Sequence, residues 1–200
     1  MPSWRIHVDT KGSQVIGLTF LNRYRIPLIS IALFCAALLL RIEYLRNTVV
    51  DGPIRADARE YVVYGFNLAR HGIFSMQEDT DNPSPDGHRT PGYPLLIALA
   101  FLLKKNQFYP VVLYMQAFFG AVTAVLTLYC GIWFMPFGWA LAAAILVVFC
   151  PHLVSMSGYL LSETLFSVVL LAAVALFYHG LRKSSIILLF FPRSSSGILT

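Results

Sequence analysis

The chain has 200 residues, 57% of them hydrophobic and only 12% charged, with a mean hydropathy of +0.66. A soluble domain carries on the order of 25% charge, so this sequence has too little polar surface to cover a core in water, and lipid has to be part of its solvent. The net charge of +5 does not indicate nucleic acid, because the basic residues form no stripe interleaved with aromatics and instead flank apolar runs, as topology-setting charges do.

In chain order, the first apolar run is 26–42, broken near its end by Arg41 and preceded by Arg23 and Arg25. It is long enough to span a bilayer, and no small-residue cleavage site follows it, so it reads as a signal anchor behind a cytoplasmic segment, 1–25. Further runs cover 109–134, then 137–150 continuing past Pro151 to about 156, then 164–181. Each approaches the roughly 20 residues a span needs. Pro151 ends or kinks the third of these four spans, since proline removes a backbone donor. The run 92–103 is short for a span and suits an interfacial or re-entrant helix. Basic residues cluster before the first span and after the last (Arg182, Lys183, Arg193), and only an even number of spans puts both clusters in the cytoplasm.

The expected fold class is therefore an all-α integral membrane protein with about four transmembrane helices and a large external loop carrying two surface helices. The membrane domain covers 26–181, its external loop about 43–108. The tail 182–200 reads as the start of a further span, so the sequence reads like the front portion of a larger membrane protein. The three cysteines, Cys35, Cys130 and Cys150, each lie inside an apolar run and read as small buried hydrophobes.

The loop carries helical pattern. Over 56–71, Asp57, Tyr61, Tyr64 and Leu68 recur at i, i+4, i+7 and i+11, with Glu60 on nearly the same face and Gly72 as a C-cap candidate. The predicted helix presents two carboxylates and two phenols along the membrane surface. Acids at a helix N-terminus are also ordinary dipole chemistry. The stretch 77–87, with Glu78, Asp79, Asp81 and Asp86 among prolines, reads as a solvated acidic turn region. After it, His88 and Arg89 lead into Thr90-Pro91-Gly92-Tyr93-Pro94, where the guanidinium of Arg89 suits a phosphate or snorkels to headgroups. Glu163 follows Ser162 at the start of the last span, either as helix-start charge or as an acid at a common cavity with the loop; His152 is expected on that side too. Mid-span positions are almost all apolar, Gln116 being the main exception, which argues against a transporter.

Four pieces occur in one order: Arg55-Ala56-Asp57-Ala58-x-x-Tyr61, Asn67-Leu68-x-x-x-Gly72-x-Phe74-Ser75, Arg89-Thr90-Pro91-Gly92-Tyr93-Pro94-Leu95, and Ser162-Glu163-Thr164-Leu165-Phe166. In order and spacing, this set resembles bacterial polytopic glycosyltransferases of the GT-C fold, the group similar to protein O-mannosyltransferases, the aminoarabinose transferase of lipid A and the Rgt-type galacturonosyltransferases. The resemblance covers about 55–166. It implies a first external loop with two surface helices, a sugar donor on a polyprenyl phosphate, and an essential loop acid, which Asp57 matches. Protein mannosyltransferases carry an Asp-Glu pair there, whereas Ala58 follows Asp57, which favours the Rgt-like and general bacterial branches. Under this resemblance Asp57 and Glu163 are the candidate catalytic residues. Glu60, Tyr61, Tyr64, His88, Arg89 and Tyr93 are candidates for substrate binding, and a divalent metal ion on Asp57 is an option. The expected partners are the polyprenyl-phosphate donor and membrane lipids, in a bacterial inner membrane. The competing reading is a truncated, catalytically inactive paralogue serving as a binding or assembly subunit.

Overall fold

Proline, glycine and paired lysines set the breaks in a chain that is otherwise nearly continuous helix. The computed structural model describes residues 10–78 and 80–182, and the further span expected to begin in 182–200 lies outside them. Among the described residues there are seven α-helices: α1 (Thr10–Asn47), α2 (Asp57–His71), α3 (Gly92–Leu103), α4 (Phe108–Phe134), α5 (Phe137–Phe149), α6 (Pro151–Ser155) and α7 (Glu163–Arg182). The helix expected from periodicity at 56–71 ends where glycine permits: Gly72 is left-handed (φ 69°) and its amide returns to the Leu68 carbonyl. The short run 92–103 is a separate 12-residue helix, α3, with the expected bounds.

Three segments are long and apolar enough to cross a bilayer: Arg25–Asn47, Lys105–Phe134 and Glu163–Leu181. A fourth joins them only as a broken unit, because the chain bends by 49° between Phe137–Phe149 and Pro151–Gly158. Pro151 opens α6 at its first position, where its missing N–H costs nothing.

α4 is the central helix, packed against α1, α3, α5 and α7. Its contact with α1 and α5 is made largely of small side chains: Ala37 of α1, Ala121 and Ala124 of α4, Ala140 and Ala144 of α5, with Leu33, Leu128 and Val148 filling the gaps. Gly131 lets α5 approach so closely that an added β-carbon would stand 2.9 Å from that of Ala140. Close approach through small residues is how helices gain van der Waals contact where lipid is as apolar as the side chains themselves. Large apolar residues point outward instead, among them Leu28 and Leu39 of α1, Trp139 and Leu146 of α5, and Phe166, Leu176 and Phe177 of α7.

α2 and α3 form a second unit. Ala58 and Tyr61 of α2 pack with Tyr93, Leu96, Ile97 and Ala100 of α3, and Val112 of α4 and Leu160 close this cluster from below. Gly65 sits against the Ile97 side chain and the Pro94 carbonyl, so the two short helices touch nearly backbone to backbone.

Candidate functional site

The site grows from the N-terminus of α2. Ala56 precedes the helix at φ 47° and ψ −126°, a conformation that favours glycine and costs an alanine on the order of 1–3 kcal/mol. This turn sets Asp57 at the first helical position and brings Glu60 one turn further along. Arg89, 32 residues later in the chain, lies between them: its Nη2 donates to Asp57 Oδ1 at 2.5 Å and its Nε donates to Glu60 Oε2. The guanidinium also lies over the Tyr61 ring, 5.4 Å from its centroid. The hydrogen bond to Glu60, then that to Asp57, hold the Arg89 pKa above its ordinary value. His88 stands beside the pair, with Nε2 3.9 Å from Glu60 Oε2, an ion pair only when the imidazole is protonated.

Asp57 remains about half-exposed, with 54% of its side-chain surface open. It borders a cleft of about 340 Å³ between the 50–58 segment and Tyr159, Leu160 and Leu161. That volume lies in the range, roughly 300–1,000 Å³, of clefts that hold small-molecule ligands. Asp57, Glu60, His88 and Arg89 are thus brought together, with Asp57 at the edge of the cleft, although two of them come from a helix and two from a turn.

The phenols are placed differently from the expectation that they share an open face with the acids. Tyr64 is fully buried, stacked on Phe74 with ring centroids 4.2 Å apart, and donates to Asp86. Tyr61 and Tyr93 are buried against each other edge to face at 5.0 Å. Rings with this much cover hold α2 on α3; they are not free to stack on a sugar. The Tyr93 hydroxyl donates to Gln116 Oε1. Burial, and to a smaller extent the charge of Glu163, push the Tyr93 phenol well above its ordinary pKa, so it stays a donor. Gln116 in turn donates to the carbonyls of Tyr159 (2.8 Å) and Met156 (3.2 Å). The one amide noted in the apolar run is therefore a junction joining α3, α4 and the turn before α7.

The acidic turn region is tied down at both ends. Glu78 pairs with Arg59 at 2.9 Å. Asp86 accepts from Tyr64 and from the Met76 amide at 2.7 Å, and the Tyr64 bond holds its carboxyl below the usual range. Asn67 reaches the carbonyls of Ser75 and Gln77 at 2.9 and 2.8 Å. Among the described residues of this region, Asp81, Asn82 and 84–87 are exposed, as a solvated turn requires.

Glu163 is exposed and lines a different, smaller cavity with His152 and Arg41, and not the Asp57 cleft. Arg41 is the functional candidate that pattern reasoning passed over as a mere interruption of the first span; a lone arginine inside an apolar run was the signal. The described residues do not form a metal site. Arg89 occupies the place between Asp57 and Glu60 that a cation would take, and among the described residues no three His, Cys, Asp or Glu side chains come together.

No family model matches the chain, nor does any curated protein or solved structure.

Proposed function

We propose that the chain is a membrane glycosyltransferase, or a part of one, that moves a sugar from a polyprenyl-phosphate donor to a hydroxyl of a lipid, glycan or protein acceptor on the external face of a bacterial inner membrane. The observation that carries this reading is the half-exposed Asp57 carboxylate, fixed by Arg89 at the edge of the 340 Å³ cleft. The ordered motifs over 55–166 supply the reaction class. The outward apolar side chains of α1, α5 and α7 support a lipid surround, since patches of that extent are rare on soluble monomers.

The chemistry follows from what one fixed carboxylate does. Asp57 takes the proton of the acceptor hydroxyl as the oxygen attacks the anomeric carbon. The carbon–oxygen bond to the phosphate breaks, and the phosphate leaves with the electron pair. Arg89 keeps the carboxylate from rotating away, and Glu60 holds Arg89 through its Nε. In this scheme the rings of Tyr61 and Tyr93 set the position of the base through the packing of α2 on α3.

The test is sugar transfer from a polyprenyl-phosphate donor by the folded Asp57→Asn chain, with Asp81→Asn as the loop-acid control. Loss of a general base lowers the rate about 10²–10⁴-fold, and the control stays near wild type. Transfer by Asp57→Asn within about threefold of wild type, well under 1 kcal/mol in barrier, removes Asp57 as the base, and absence of transfer by the wild-type chain overturns the reading in favour of a binding or assembly subunit. The external placement of the loop is checked separately by labelling Ser84→Cys, an exposed position, with an impermeant maleimide. Labelling of intact cells is expected, and labelling only after permeabilisation refutes the sidedness.

A further inference from the structure

Arg41 is 1% exposed in the midst of helices, yet it makes no ion pair among the described residues. Its Nη1 donates to the Ala37 carbonyl of its own helix at 3.1 Å, and its Nη2 makes a long 3.4 Å contact with the Val147 carbonyl. Its Nε is buried with no partner at all. A guanidinium donates through all three of its nitrogens, and here Nε has no acceptor. The position is built for this side chain: a β-carbon at Gly120 of α4 would collide with the Arg41 guanidinium.

Arg41 lines a cavity of about 50 Å³ together with His152, Glu163, Thr164 and Ser167. One water needs roughly 10–15 Å³ of such space, so the cavity exceeds a single water and is far too small for a sugar ring. The first turns of α7, a 20-residue helix, contribute Thr164 and Ser167, so the positive end of its dipole adds to the charge of Arg41. His152 and Glu163 are exposed and stand at the mouth. A buried cation with an unpartnered Nε, a helix N-terminus and a space of this size match a tetrahedral oxyanion, the partner for which a guanidinium is best suited.

We propose that the Arg41 cavity is a binding site for a phosphate group, carried on a lipid or free in solution. It is separate from the Asp57 cleft and stands whether or not Asp57 catalyses transfer. Arg41 grips the phosphate, the start of α7 faces it, and Glu163 at the mouth opposes it by like charge. The competing arrangement is a water-bridged pair between Arg41 and Glu163 with no anion bound. The two differ in sign at Glu163: removing its charge helps a phosphate, but strips a water-bridged Arg41 of its counter-charge.

The experiment is a phosphorus NMR titration of the purified full chain in dodecyl maltoside micelles, with dodecyl phosphate in one arm and inorganic phosphate in the other. Saturable broadening is expected with the wild type. Binding weakens at least tenfold in Arg41→Gln and less in Arg41→Lys, and it tightens about threefold or more in Glu163→Gln. Equal binding in both arms assigns the site to free phosphate; binding of dodecyl phosphate alone assigns it to a lipid. Absence of saturable binding in the wild type, or equal binding by Arg41→Gln, overturns the proposal. Should Arg41→Gln lose its helical circular dichroism, the Glu163→Gln arm decides, and unchanged or weaker binding there overturns it.

Discussion

The α2–α3 unit and the bundle of α1, α4 and α5 are both helix packed on helix, but different residues hold them. The bundle interface is alanine and glycine, with Ala37, Ala121, Ala140 and Gly131 giving close, unspecialised contact. The α2–α3 unit is held by aromatic rings and by polar ties that each have a named partner: Tyr61 on Tyr93, Tyr64 on Asp86, Arg89 on Asp57 and Glu60, Tyr93 on Gln116. An interface of small apolar groups tolerates exchange of one for another. A network of individual ties fixes side chains in place, and it is the kind of support a carboxylate needs to do chemistry.

The comparison breaks first at Tyr93. Tyr93→Ala removes a buried ring and the donor to Gln116, and is expected to cost about 3–5 kcal/mol. Hydrogen exchange should report this as lost protection across Asp57–His71, with Phe108–Phe134 still protected. Equal loss in both would show that the two regions unfold as one.

Next come two glycines, one in each region. Gly65→Val pushes on Ile97 and the Pro94 carbonyl, and Gly131→Val pushes on Ala140; each is expected to cost about 1–3 kcal/mol through overpacking. Their consequences should part. If Asp57 acts as proposed, Gly65→Val shifts it and lowers transfer, whereas Gly131→Val lowers thermal stability in detergent and leaves the transfer rate of the folded fraction unchanged. A transfer defect of the same size in both would erase the distinction.

A smaller effect concerns pH. The Asp86 pKa lies below its unfolded value, so its contribution is present above about pH 4 and is lost as pH falls through the folded value. The Tyr64 pKa lies above its unfolded value, through burial first and the Asp86 bond second. Its contribution is full below about pH 10 and is lost as pH rises through the folded value. Exchange at the Met76 amide, after correction for intrinsic chemistry, should therefore be flat between these limits and rise outside them. In Tyr64→Phe the acid limb should begin at higher pH; an unchanged onset would remove Tyr64 as its cause. The least effect is expected at Arg59 and Glu78, both well exposed. Glu78→Gln should leave protection of α2 unchanged within error, because water and salt already screen such a pair.

Much of this organisation was legible before any coordinates. The bounds of α3 follow from Pro91 and Gly92 on one side and Lys104 and Lys105 on the other, and the stop of α2 from Gly72. The break at Pro151 follows from its missing amide hydrogen. Local pattern marks Asp57, Glu60 and Arg89, the family resemblance adds His88 and the roles, and the structure brings the four together. What covers each face was not legible. Periodicity puts Tyr61 and Tyr64 on the same face as the acids, but Tyr93 of α3 and Phe74 of the turn cover these rings, and no local pattern shows that. The bond between Tyr64 and Asp86 joins positions 22 apart across a turn with no periodic signal. Arg41 was visible as an interruption, yet its isolation depends on Val147 and Gly120, which belong to other helices.

The backbone at Ala56 has an evolutionary consequence. Every alanine codon is one base change from a glycine codon, and glycine would adopt φ 47° without strain, so relief of this turn is always within mutational reach. That relief would add stability by roughly the 1–3 kcal/mol stored there, and it would also free the peptide just ahead of Asp57 to sample other directions. A population selected for robustness alone would drift towards glycine at this position. One selected for the aim of the acid would hold alanine against that drift.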